Sequence, residues 1–153
     1  MSALTSDRNT QERNAEVYEF PIAPGVIIYR GALVALNAAG QSLRPQDAGA
    51  VQIAGIAQTG SADFLPAGAT PRGAFPTGGL VIDQPTPFVR VRRRKQFCLA
   101  NSAVGPDQIA TINFGATAYA VDDQTVALTS NSGARLAVGI IRSVDQLGVW
   151  VEI

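Results

Sequence analysis

Residues 117–153 read T-A-Y-A-V-D-D-Q-T-V-A-L-T-S-N-S-G-A-R-L-A-V-G-I-I-R-S-V-D-Q-L-G-V-W-V-E-I. Four short apolar runs stand out, at 118–121, 125–129, 135–144 and 148–153. Asp122-Asp123-Gln124, Ser130-Asn131-Ser132-Gly133 and Asp145-Gln146-Leu147 separate them. Short runs rich in β-branched residues, punctuated by Asp, Asn, Ser and Gly, are the pattern of strands joined by tight turns. None is long enough, or periodic at 3.6 residues, to argue for a helix. The final Val149-Trp150-Val151-Glu152-Ile153 alternates and reads as a strand tied into a sheet, with Trp150 in the core.

Working outward, the whole chain has the same texture. At 153 residues with 46% hydrophobic content, it suits one domain with a core of useful size. Fifteen glycines and nine prolines, spread along the sequence, serve many turns. Strands are expected at 17–22, 26–29, 32–36, 51–57, 79–82 and 88–99, with a weaker one at 108–114. In the first, Val17 and Glu19 face one side, Tyr18 and Phe20 the other, and Pro21 marks an edge or an end. Residues 60–79 hold Pro66, Pro71, Pro76 and five glycines. They read as a long ordered loop anchored by Phe64, Leu65 and Phe75. Residues 1–16 are polar, with Leu4 the only large aliphatic after Met1, and read as an arm without a hydrophobic face of its own. The organisation is thus an arm at 1–16 and a single all-β domain at 17–153, a small sandwich or barrel.

Two segments resemble each other. Residues 32–57 and 117–141 both run strand, Asx turn, strand, loop, then an apolar strand with an internal glycine. Leu36-Asn37 aligns with Val121-Asp122, and Ala54-Gly55-Ile56 with Val138-Gly139-Ile140, an offset of 84 to 85 residues. Glycine inside a strand marks a bulge, a bend or a close backbone approach. We infer two related half-units facing each other in one sandwich or barrel.

The chemistry is sparse. The chain has no histidine, which removes the commonest general base, the usual metal ligand and any Ser-His or Cys-His pair. The single cysteine, Cys98, lies in an apolar context and reads as a small buried hydrophobe. Asp122-Asp123 reads as a turn pair bonded to the backbone, since a metal site needs ligands converging from several elements. Thr77-Gly78-Gly79 and Ala67-Gly68-Ala69 are followed by no lysine and no helix, so neither is a phosphate loop. No catalytic residue, cofactor or metal ligand is assigned, and an enzyme is not expected. The N-terminus lacks the apolar core of a signal peptide. No apolar run approaches the ~18 residues of a membrane span.

The one sharp feature is electrostatic. Net charge is zero, yet Arg90, Arg92, Arg93, Arg94 and Lys95 crowd into six residues. The rest of the chain carries seven cations against twelve carboxylates. Read as one strand over 88–99, Arg90, Arg92 and Arg94 share a face, and Arg93 and Lys95 share the other. Only Phe88 and Phe97 flank the strip, so a stacking platform for single-stranded nucleic acid is not supported. Arginine forks bind carboxylates as readily as phosphates, which favours a protein interface or a charged sheet edge over nucleic acid.

The layout G-A-L-V-A-L-N-A-A-G, A-G-I-A, a basic strand, Y-A-V-D-D-Q-T-V-A-L-T, V-G-I-I-R-S-V-D and G-V-W-V-E-I resembles the capsid cement, or head-decoration, proteins of tailed bacteriophages, of the lambda type. The resemblance covers about 31–153 and is strongest over 119–153. It implies a small, β-tulip-like virion protein, made in the host bacterial cytoplasm, that binds the outside of an icosahedral head and stabilises it. The implied partners are the major capsid protein and the chain itself as a homotrimer, with no membrane and no direct nucleic-acid contact. Thr5, Arg8 and Arg13 of the arm, Tyr18 and Phe20 of the first strand, and Arg90, Arg92, Arg93, Arg94 and Lys95 are the candidate interface residues. A trimeric tail or receptor-binding module for glycans is the alternative. The 60–79 loop has no place in the resemblance.

Overall fold

A computed structural model describes residues 16–59 and 88–153. The arm with Thr5, Arg8 and Arg13, the 60–79 loop and the 79–82 strand lie outside the described residues. The described chain is all-β, with ten strands and two short 3-10 turns. The strands are β1 Val17–Pro21, β2 Leu33–Asn37, β3 Ser42–Leu43, β4 Ala50–Ala57 and β5 Phe88–Arg92, then β6 Gln96–Asn101, β7 Thr117–Ala120, β8 Thr125–Ala127, β9 Ala137–Asp145 and β10 Gly148–Glu152.

The strands divide into two units of five. Unit 1 is a sheet in the order β1-β5-β4-β2-β3. Unit 2 is a closed barrel in the order β10-β6-β8-β7-β9. Started at β6, that ring reads β6-β10-β9-β7-β8, the order of unit 1 strand for strand. The barrel closes by parallel pairing of β6 with β8, through Ala100 to Thr125 and Asn101 to Val126. Unit 1 makes the same closure with a single parallel bridge from Ile22 to Ser42. In each unit the next residue continues it: the Ala23 N–H donates to the Ser42 carbonyl, and the Ser102 N–H to the Val126 carbonyl, both at 2.9 Å.

The repeat persists at the level of register. Leu33 pairs Ile56, Val34 pairs Gly55 and Ala35 pairs Ile53. Shifted by 84 residues, Thr117 pairs Ile140, Ala118 pairs Gly139 and Tyr119 pairs Ala137. Both ladders slip at the same point, leaving Ala54 and Val138 as the extra residues of equivalent bulges. The glycines are required there. A Cβ on Gly55 would collide with the Arg92 carbonyl oxygen and Val91 Cγ1; one on Gly139 would collide with the Glu152 carbonyl oxygen and crowd Val151 Cγ1. The half-units are therefore not two halves of one barrel: each closes a sheet of its own.

The interiors follow the alternation. Val34, Leu36, Ala54, Ala57, Val89 and Val91 fill unit 1 with Ile22 and Ile28. Ala118, Ala120, Val138, Ile141, Val149 and Val151 fill unit 2 with Leu99, Ile109 and Val126. β2 is apolar on both faces, and its outward residues Leu33 and Ala35, with Ile53 and Ile56 of β4, join the unit 2 core. Each large aliphatic buried this way contributes about 1.5–3 kcal/mol over leaving it exposed.

Three expected strands change. Residues 26–29 take no strand pairing, although Ile28 is buried; the Pro24-Gly25 turn and Gly31 at positive φ bend the chain on both sides. Residues 108–114 form a 3-10 turn at Thr111–Asn113, because the Asn113 Oδ1 accepts the Ala110 N–H at 2.7 Å and closes the loop locally. The 88–99 strand is two strands, β5 and β6, broken at 93–95. Two core assignments also change. Cys98 is exposed, since Leu99 takes the inward position on β6. Trp150 is half-buried, with its indole N–H donating to Asp145 Oδ2 at 2.7 Å. The Asp122 turn forms as expected: Asp122 Oδ1 accepts the Gln124 and Thr125 N–H groups, as Asn37 Oδ1 accepts those of Ala39 and Gln41.

Candidate protein interface

The basic strip is the link between the two units. β5 lies antiparallel to β1, with Glu19 opposite Arg90, Tyr18 opposite Val91 and Val17 opposite Arg92. Val89 and Val91 point inward and are fully buried, which sends Arg90 and Arg92 to the other face. Arg94 does not share that face. Its backbone takes φ 58°, a left-handed conformation that costs a non-glycine residue about 1–2 kcal/mol and ends the strand. Backbone bonds hold the bend. The Arg93 N–H donates to the Glu16 carbonyl at 2.8 Å, the Arg94 N–H to the Ile153 carbonyl at 2.5 Å, and the Ile153 N–H to the Lys95 carbonyl at 3.2 Å.

The five cations are not equivalent. Arg90 forks onto Glu19 Oε1, at 3.1 Å from Nε and 2.8 Å from Nη2, and Lys95 Nζ lies 3.4 Å from Glu16 Oε1. Both pairs are about half exposed, so each contributes at most about 1 kcal/mol. Arg92, Arg93 and Arg94 have no carboxylate partner among the described residues. The Arg92 Nε is buried with no hydrogen-bond acceptor. An unmet buried donor costs about 1–3 kcal/mol. Arg93 and Arg94 are exposed. On β1, Tyr18 and Phe20 stack with centroids 6.3 Å apart and planes 19° from parallel, half-buried on the sheet face of Val89 and Val91.

Sequence reasoning grouped Tyr18, Phe20 and the five cations as interface residues, but the β1–β5 ladder pairs Tyr18 with Val91 and Phe20 with Val89, which puts the two rings on the sheet face opposite Arg90 and Arg92. It missed Glu16 and Glu19, which neutralise two of the cations; only the long-range register of β1 on β5 reveals them. It also missed a buried polar knot in unit 2. Asp107 bonds the Arg135 guanidinium, 2.9 Å from Nη2, and the Thr129 hydroxyl. Those two donors hold its carboxyl below the ordinary carboxylate range. Partial covering of the Cys98 thiol, with the Asp145 carboxylate, pushes that thiol up and away from the reactive thiolate. Among the described residues no group of three or more His, Cys, Asp or Glu could hold a metal ion. None of their helices is long and apolar enough to cross a membrane.

No family model, curated protein or solved structure matches the chain.

Proposed function

We propose that this chain is a structural virion protein of a tailed bacteriophage, a homotrimer that attaches to the outer surface of the icosahedral head and stabilises it. The reading rests on the sequence resemblance. The observation that carries it further is the trio Arg92, Arg93 and Arg94. Among the described residues these cations have no carboxylate partner; they lie at a bend held by backbone hydrogen bonds, in a chain that is otherwise acidic. Arginine forks fixed in place recognise carboxylates bidentately, and contacts of that kind at a covered interface exceed the worth of exposed pairs. The major capsid protein is the proposed partner, and the 1–16 arm would add backbone pairing to a shell edge.

The test uses particles stripped of this protein. Arg93→Ala with Arg94→Ala should lower occupancy on the head and flatten the salt dependence of binding, with duplex DNA competing poorly. Unchanged occupancy, or DNA binding at physiological salt that the same pair of changes abolishes, overturns the proposal.

A further inference from the structure

The two units touch through unlike surfaces. Unit 1 contributes the outer faces of β2 and β4, where Leu33 and Ala35 are 0% exposed and Ile53 and Ile56 are 7% and 6% exposed. All four belong to the core that fills unit 2. The Leu33 N–H donates to the Asp123 carbonyl at 2.6 Å, so β2 meets unit 2 at its 121–125 turn. Register gives the corresponding face of unit 2 as Thr117, Tyr119, Ala137 and Ile140. None of these four is buried. A two-fold contact would bury both sets alike. A contact that buries one set only is heterologous, and it leaves one surface of its kind unfilled on each side.

The unfilled face is also the place where unit 2 departs from unit 1. The connection from β6 to β7 is longer than that from β1 to β2, and its Thr111–Asn113 turn packs beside β9. That turn presents Ile112 at 89% and Phe114 at 67% exposure. Two large apolar side chains held out beside β9, whose outer face is itself not buried, mark an interaction surface.

We propose that the outer face of β7 and β9, with Ile112 and Phe114, is the docking surface for a second copy of this chain. The incoming copy presents its 37–41 turn, the unit 1 counterpart of the turn that receives Leu33 inside the chain; Ala38, Ala39 and Gly40 of that turn are exposed. Internal and intermolecular contacts then alternate, and a heterologous contact repeated in this way closes into a ring or runs on as a filament. The surface rests on the trimer part of the function proposed above and not on attachment to the head.

Sedimentation velocity of the purified full chain over rising concentration tests it without particles. The wild type should associate. Ile112→Asn combined with Phe114→Ser, and separately Ile140→Asp, should weaken association about tenfold or more, the loss expected when a buried apolar anchor goes. Val51→Asp, on an exposed part of β4, should leave association unchanged. Circular dichroism confirms folding, and the loop pair keeps the test valid should Ile140→Asp unfold. A wild-type chain that stays monomeric throughout, or association that survives in both variants, overturns the proposal. Head binding plays no part in this measurement, so failure of the head-attachment reading would leave its outcome untouched.

Discussion

β2 and β7 occupy the same place in two units with the same strand order, yet β2 is buried on both faces and β7 on one. Their inward residues are interchangeable in kind: Val34 and Leu36 against Ala118 and Ala120. Their outward residues are not, with Leu33 and Ala35 in the first and Thr117 and Tyr119 in the second. The inward set is dictated by closing a five-stranded sheet around a small core. The outward set is dictated by what lies next to the unit, so the two units record different neighbours on the same scaffold.

The sharpest way to break this comparison is at Leu33, which sits on unit 1 but in the core of unit 2. Leu33→Ala should destabilise the chain by about 2–5 kcal/mol. Trp150, the only tryptophan, reports on unit 2. Its fluorescence transition in denaturant should move with the far-UV signal to the same lower midpoint. A Trp150 transition that stays in place would show that the units do not share a core.

A smaller effect compares the two bulges. Gly55→Ala and Gly139→Ala each set a methyl against a backbone carbonyl and should cost about 1–3 kcal/mol by equilibrium unfolding. Gly55 also has φ +142°, so its substitution should be the more damaging of the two. Equal costs would mean that the clash alone governs. Gly133→Ala, where a Cβ meets nothing, isolates the cost of positive φ.

The smallest effect belongs to unit 2 alone. Asp107 is held below the ordinary carboxylate value by Arg135 first and Thr129 second. Its contribution is therefore complete above an ordinary carboxylate pKa of about 3.9 and fades as pH falls through the lower folded value. The thermal midpoint of Asp107→Asn should lie below that of the wild type at neutral pH. The gap should close as pH falls through that acid range, and a gap independent of pH would assign the knot to packing rather than charge.

Much of the fold was legible because alternation and Asx turns are local signals. The strands at 50–57 and 137–145 announce themselves by β-branched residues, that at 33–37 by its apolar run before an Asx turn, and the internal glycines exposed the repeat. What stayed hidden is non-local. Nothing near residues 26–29 says that Ile28 will fill the interior of unit 1 without joining a strand. Cys98 sits in an apolar stretch, but its side is set by pairing with Trp150 across the sheet. The break at 93–95 was invisible because a run of cations carries no periodicity, and the left-handed residue there is an arginine where glycine is usual. The interface was half legible: composition flagged the cations, but their partners Glu16 and Glu19 lie more than seventy residues away in sequence.

The strand order has a consequence for the timing of synthesis. In each unit the first strand pairs with the last, β1 with β5 and β6 with β10. Neither unit can complete its sheet until its fifth strand has left the ribosome. Unit 2 joins its last two strands through Gln146 and Leu147, while unit 1 places thirty residues between Ala57 and Phe88 at the same point. Those thirty residues must be synthesised before β5 appears, whereas β10 follows β9 after two. The nascent chain thus emerges with its longer-waiting unit first, its β1 edge open until the basic strand that will also lead into unit 2 has been made.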